Sequence, residues 1–132
     1  LAGHPVVDWS VIPMGRFDGP SVSDVATINL SFEDGSTAAI HYFANGHRAF
    51  PKERVEVFAG GRVLQMNNFT SLRGYGFKRF SGSRSFAQDK GQSGCAQAFT
   101  ESMRGDPRML IPRAELFEVS RLAIEVEDFL RT

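Results

Sequence analysis

Three observations predict an α+β domain in which an open, mostly antiparallel sheet of about five to six strands carries two C-terminal helices on one face. Two hairpin signatures lie in the first half of the chain, the apolar period lengthens after residue 91, and no repeat or linker marks off a second domain.

The first strand is read over Pro5-Val-Val-Asp-Trp-Ser-Val-Ile12, and residues 13–23, rich in Gly and Pro without periodicity, read as a loop. Asp24-Val-Ala-Thr-Ile-Asn-Leu-Ser-Phe-Glu33, the pair Asp34-Gly35 and Ser36-Thr-Ala-Ala-Ile-His-Tyr-Phe-Ala-Asn45 follow. Asp-Gly between β-rich runs suits a two-residue type I′ loop, because both central residues must accept positive φ. That register sets Phe32 against Thr37, Leu30 against Ala39, Ile28 against His41 and Ala26 against Phe43, with Tyr42 and Ile40 on the opposite face. Neither face is cleanly polar, so one is expected beneath helices and the other against a second subunit.

Arg54-Val-Glu-Val-Phe-Ala59, Gly60-Gly61 and Arg62-Val-Leu-Gln-Met-Asn67 form the second hairpin. Its register pairs Val57 with Leu64 and Val55 with Met66 on a core face, and Glu56 with Gln65 and Phe58 with Val63 on the other. Tyr75-Gly-Phe-Lys-Arg-Phe80 reads as a last edge strand, followed by a loop over 81–87. A helix is predicted over about 92–104, where Cys95, Ala98, Phe99 and Met103 recur at helical spacing before Gly105. The second helix is predicted over about 112–131, with Pro112 in its first turn and a stripe of Leu116, Val119, Leu122, Ala123, Val126, Phe129 and Leu130.

Composition limits the function classes. The 132 residues are 42% hydrophobic with twelve Phe, and a chain of this length buries roughly two-thirds of the surface its unfolded form exposes. A single domain over 1–132 therefore builds a core without staples. No apolar run approaches the roughly 18 residues of a membrane span, so no membrane partner is expected. Fifteen Lys+Arg balance fifteen Asp+Glu, leaving no global field for nucleic acid. Cys95 is the only cysteine, which excludes an internal disulfide or four-thiolate metal site and fits the cytoplasm. The chain opens on Leu1 with no signal-like run behind it and reads as the downstream part of a longer protein.

No segment carries a complete catalytic constellation. Gly74-Tyr-Gly-Phe-Lys-Arg79 starts like a dinucleotide fingerprint but has Arg where the third glycine belongs and lacks a strand-to-helix setting. His4, His41 and His47 share no metal-ligand spacing, and His41 inside a strand reads as a packed or interfacial residue. Ser81-Gly-Ser-Arg-Ser85 lacks a nucleophile elbow, and Cys95 falls on the predicted helical stripe. Asn29-Leu-Ser31 and Asn68-Phe-Thr70 match a glycosylation sequon by chance for a cytoplasmic chain. Across residues 73–90, Arg73, Lys78, Arg79, Arg84 and Lys90 interleave with Tyr75, Phe77, Phe80 and Phe86 against the single acid Asp89. Such a segment binds an anionic ligand or single-stranded nucleic acid by neutralisation and stacking, or it is a solvated edge whose charge offsets the acidic last helix. The neutral total favours the solvated edge.

Taken in order, Asp34-Gly35-Ser36, Ile40-His-Tyr42, Gly46, Pro51-Lys-Glu53, Val55-Glu-Val57, Gln88-Asp-Lys-Gly91, Phe99, Gly105 and Ile111-Pro112 resemble the C-terminal domain of the Gfo/Idh/MocA oxidoreductases, in the branch of predicted dehydrogenases. The resemblance runs over about residues 24–130 and implies an open antiparallel sheet that covers substrate and builds the oligomer interface. It implies a parent enzyme that binds NAD(P) in an N-terminal Rossmann domain and oxidises or reduces sugars, inositols or related polyols. The family's dinucleotide fingerprint, Glu-Lys-Pro segment and Asp/His helix precede the matching region, so no catalytic, cofactor-binding or metal residue maps onto these positions. Gln92 stands where relatives often carry His. Lys52, Asp89 and Lys90 are the expected substrate-side residues, and Ile40, Tyr42, Phe58 and Val63 the expected homo-oligomer face. A stand-alone module binding anions through residues 73–90 is the alternative.

Overall fold

The structure, a computed structural model, describes residues 3–14, 24–105 and 111–131. Most of the loop expected over 13–23 lies outside the described residues. The chain is α+β with antiparallel strands and two helices. Its strands form two sheets instead of one open sheet, in two compact units: residues 1–46 with 111–132, and residues 47–110.

The first unit contains β1 (Val6–Pro13), β2 (Val25–Phe32), β3 (Thr37–Phe43) and, from the chain's end, the helix Arg113–Arg131. Its sheet has the order β1-β2-β3. Ile28 pairs with Ile40 and Ala26 with Tyr42, one residue away from the register of a two-residue loop. The cause is local. Asp34 Oδ1 accepts the Ser36 backbone N–H at 3.0 Å and its Oδ2 accepts the Ser36 hydroxyl at 2.8 Å. The Gly35 N–H donates to the Phe32 carbonyl at 2.9 Å, and the Phe32 N–H donates to the Ser36 carbonyl at 2.9 Å. Those bonds close a three-residue loop in which only Gly35, at φ 83°, is left-handed.

A one-residue slip changes every cross-strand partner. Ala26, Ile28, Leu30, Ile40 and Tyr42 now share a face with Trp9 and Val11 of β1, while Thr27, Asn29, Ser31, His41 and Ser10 point the other way. The face with Ile40 and Tyr42 is thus the core face, not its reverse. Val11, Ala26 and Val126 are buried there, with Trp9, Ile28 and Leu130 packed around them. The helix uses Glu118, Leu122, Val126 and Leu130, four residues apart on one side. Leu122 and Val126 are buried, and Glu118 Oε1 accepts the Val6 N–H at 2.9 Å. Leu116 and Val119, expected in the stripe, stay exposed because that acid has taken the turn facing β1.

The second unit contains β4 (Arg54–Ala59), β5 (Arg62–Asn67), β6 (Ser71–Tyr75), β7 (Gly82–Arg84) and α1 (Gln92–Met103), which makes the helix Arg113–Arg131 α2. Its sheet order is β4-β5-β6-β7. The β4/β5 register is the expected one, Val57 to Leu64 and Phe58 to Val63, and Gly60 and Gly61 have the positive φ of a type I′ turn. In place of a strand over 75–80, β6 ends at Tyr75. The Phe77 and Phe80 rings meet edge to face at 6.2 Å and close over Gly74, where a Cβ would lie 2.6 Å from Phe80 Cδ1. Val55, Val57, Leu64, Met66 and Leu72 share one sheet face. No described residue of this unit is fully buried. On α1, Cys95, Phe99 and Met103 are exposed and the helix packs on no strand of its unit, so the expected stripe is not a core stripe.

Candidate functional site

Three segments of the second unit build one open cleft of about 360 Å³, lined by residues 48–53, Asn68, Gln88 and Lys90. This volume falls at the lower end of the range for small-molecule pockets.

The 48–53 segment leaves a turn in which the Phe50 N–H donates to the His47 carbonyl at 2.9 Å and the Ala49 N–H to His47 Nδ1 at 3.2 Å. Pro51 then holds the chain extended, so Lys52 arrives on a loop and not on β4. The second wall is the β5–β6 turn, where Asn68 and Phe69 have φ 50° and 53°. They are the only non-glycine residues with positive φ among the described residues. Asn tolerates that conformation through its short polar side chain; Phe does so only where surroundings over-determine it. Surroundings do: the Asn68 N–H donates to the Glu53 carbonyl at 2.6 Å, the Thr70 N–H to Asn67 O at 3.0 Å, and the Phe69 N–H to Met66 Sδ at 3.2 Å.

The third wall, residues 88–90, is tied to that turn. Gln88 Nε2 donates to Asn68 Oδ1 at 2.7 Å, and Lys90 Nζ lies 6.0 Å from the centroid of the Phe69 ring, a cation–π contact. Lys52 and Lys90, 38 positions apart, therefore line the same cleft. Asp89 does not. Its Oδ1 accepts the Gly91 N–H at 2.9 Å, closing the turn that leads into α1. Arg48 completes the cationic lining and was not singled out in sequence, where nothing separates it from any other loop arginine.

Three cations thus face one carboxylate, Glu53. Among the described residues none of Arg48, Lys52 and Lys90 has an acid within ion-pair distance, and Asn68, Gln88 and Glu53 add hydrogen-bonding groups. The lining can hold a small ligand rich in hydroxyls or anionic oxygens. It contains no activated nucleophile, and no group of three His, Cys, Asp or Glu able to hold a metal occurs among the described residues.

The basic run over 73–90 is split between surfaces. Arg73 and Arg84 share a sheet face with Arg54 and Glu56, and Lys90 belongs to the cleft. Phe77 and Phe80 are occupied with each other, and Arg62 lies 5.5 Å from the Phe77 ring centre, so two of the four aromatics are not free to stack on bases. Of the predicted oligomer residues, Ile40 and Tyr42 are 46% and 57% exposed on β3, Phe58 is 72% exposed, and Val63 is half-buried beside it. No described helix is long and apolar enough to cross a membrane. Compared with known proteins, the chain matches no family model, no curated protein and no solved structure.

Proposed function

We propose that this chain is the C-terminal substrate-side and oligomerisation domain of a cytoplasmic NAD(P)-dependent sugar or polyol oxidoreductase, with cofactor and catalytic groups on the parent's Rossmann domain. The observation that carries the reading is the meeting of Lys52 and Lys90 in one cleft with Asn68, Gln88 and Glu53. Both lysines were expected on the substrate side from the family-like order of motifs. Amides, a carboxylate and ammonium groups around one cleft suit the alternating donors and acceptors of a polyhydroxylated ligand. Self-association is supported by the uncovered Ile40 and Tyr42 and by Phe58 at the edge of the second sheet.

Titrating the chain with NADH and NADPH, followed by nicotinamide fluorescence, tests the reading: no binding is expected at micromolar cofactor. Tight cofactor binding by this chain alone would sink it. In the same samples sedimentation is expected to show a species larger than the monomer at high micromolar concentration.

A further inference from the structure

We infer that the 48–53/88–90 cleft selects an anionic polyol, a sugar-like chain bearing a carboxylate or phosphate, over its neutral counterpart; this rests on the substrate-side reading above.

Arg48, Lys52 and Lys90 line one space from two separate segments, with only Glu53 to oppose them, and none of the three is in an ion pair among the described residues. Surface cations ordinarily find local acids or disperse. Gathering three around a concavity leaves a positive potential that an anion lowers, and the concave wall raises that potential relative to a flat surface. Neutral sugars gain nothing from it. Lys and Arg present donors only, so each is best used on an oxygen carrying charge.

The backbone gives an independent reason to place a site here. Both left-handed non-glycine residues among the described residues lie at this cleft: Asn68 in its wall, Phe69 beneath Lys90. Left-handed backbone at such residues is disfavoured and persists where neighbouring structure imposes it, a pattern that clusters at ligand clamps. The turn fixes both partners of the 88–90 loop, Asn68 through its bond to Gln88 and Phe69 through its contact with the Lys90 ammonium. An unstrained turn would leave Lys90 without that anchor. Glu53, Asn68 Nδ2 and Gln88 Oε1, the amide atoms outside the Gln88–Asn68 bond, remain for hydroxyls, which distinguishes a polyol from a bare ion.

The test is an amide chemical-shift titration of this chain with gluconate, 6-phosphogluconate, glucose, sorbitol and inorganic phosphate. Both anionic polyols are expected to perturb residues 48–53 and 88–90 and to bind roughly tenfold more tightly than glucose or sorbitol. Raising salt from about 0.1 M to 1 M shortens the screening length from about 10 Å to 3 Å and should erase most of that difference. Lys52→Gln and Lys90→Gln should each weaken gluconate or phosphogluconate binding roughly three- to tenfold, while Lys78→Gln, outside the cleft, leaves it unchanged. The preferred anion separates a carboxylate from a phosphate site.

Equal binding of gluconate and glucose, no polyol binding at the cleft, or indifference to both lysine variants would each overturn the inference. Inorganic phosphate binding as tightly as phosphogluconate would overturn its polyol half. Tight NADH binding by the chain would instead remove the oxidoreductase reading and leave the measured selectivity standing.

Discussion

Asn68 shows how one residue can carry both fold and site, since it holds a left-handed backbone and accepts from Gln88. Asn68→Ala puts a Cβ without a polar partner at φ 50° and deletes the acceptor, and is expected to cost about 2 kcal/mol in urea unfolding. Asn68→Gly relieves the backbone but not the lost bond and should recover about half of that. Equal loss in both variants would assign the whole effect to the side chain. Asp34 is the residue whose charge the fold uses most visibly. The Ser36 backbone N–H first, then the Ser36 hydroxyl and the His4 ring 3.8 Å away, hold its carboxyl below the usual aspartate range. A folded pKa below the unfolded one stabilises the turn above about pH 4 and loses that contribution as pH falls through the folded value. In a carboxyl-detected titration Ser36→Ala, which removes the hydroxyl and keeps the backbone N–H, should raise the Asp34 midpoint partway to normal; an unmoved midpoint would show that the hydroxyl contributes nothing. Residue type made Lys52 and Lys90 legible as loop cations, but their meeting depends on the Asn68-Phe69 turn. That turn contains no glycine, so the sequence pattern that marks Gly60-Gly61 does not mark it.

Elements were legible where local chemistry alone decides them. The β4/β5 register follows from a two-glycine turn, and both helix spans follow from apolar spacing. The β2/β3 register was not, because Asp34 can close either a two- or a three-residue loop and its bonds to Ser36 choose the longer. Spacing equally failed to say which helix docks. α2 places Leu122 and Val126 in a core while α1 buries nothing, although both carry an apolar stripe. Val126→Ala removes two methyl groups beside Val11 and Ala26 and is expected to cost about 2 kcal/mol. Phe99→Ala on α1 should stay within about 0.5 kcal/mol despite the larger deletion. The single tryptophan reports the first of these directly, since Trp9 meets Phe129 of α2 edge to face at 6.2 Å. Its emission should shift to the red in Val126→Ala and not in Phe99→Ala.

Across the whole molecule, packing is distributed unevenly between two units that have similar sheets. In the first, a helix packs on β1 beside a central strand paired on both sides, and every buried apolar residue among those described, Val11, Val25, Ala26, Leu122 and Val126, belongs to it. In the second, the four-stranded ladder has its full complement of strand pairing but no buried side chain. Backbone hydrogen bonds contribute only modestly when water can replace them, so burial decides which ladder opens last. Native-state hydrogen exchange of the chain should therefore rank β2 slowest, β5 and β6 distinctly faster, and α1 fastest, with the β2-to-β5 gap approaching the stability that α2 confers. Val126→Ala should speed β2 exchange by roughly thirtyfold, the equivalent of about 2 kcal/mol, and leave β5 unchanged. If β2 and β5 exchange together and respond together, the two units open as one cooperative body and the burial-based ranking fails. A saturating gluconate or phosphogluconate ligand adds a second handle. It should slow the amides around Asn68 and residues 88–90 without touching β2, because its binding energy is applied to the unit that has the least packing of its own.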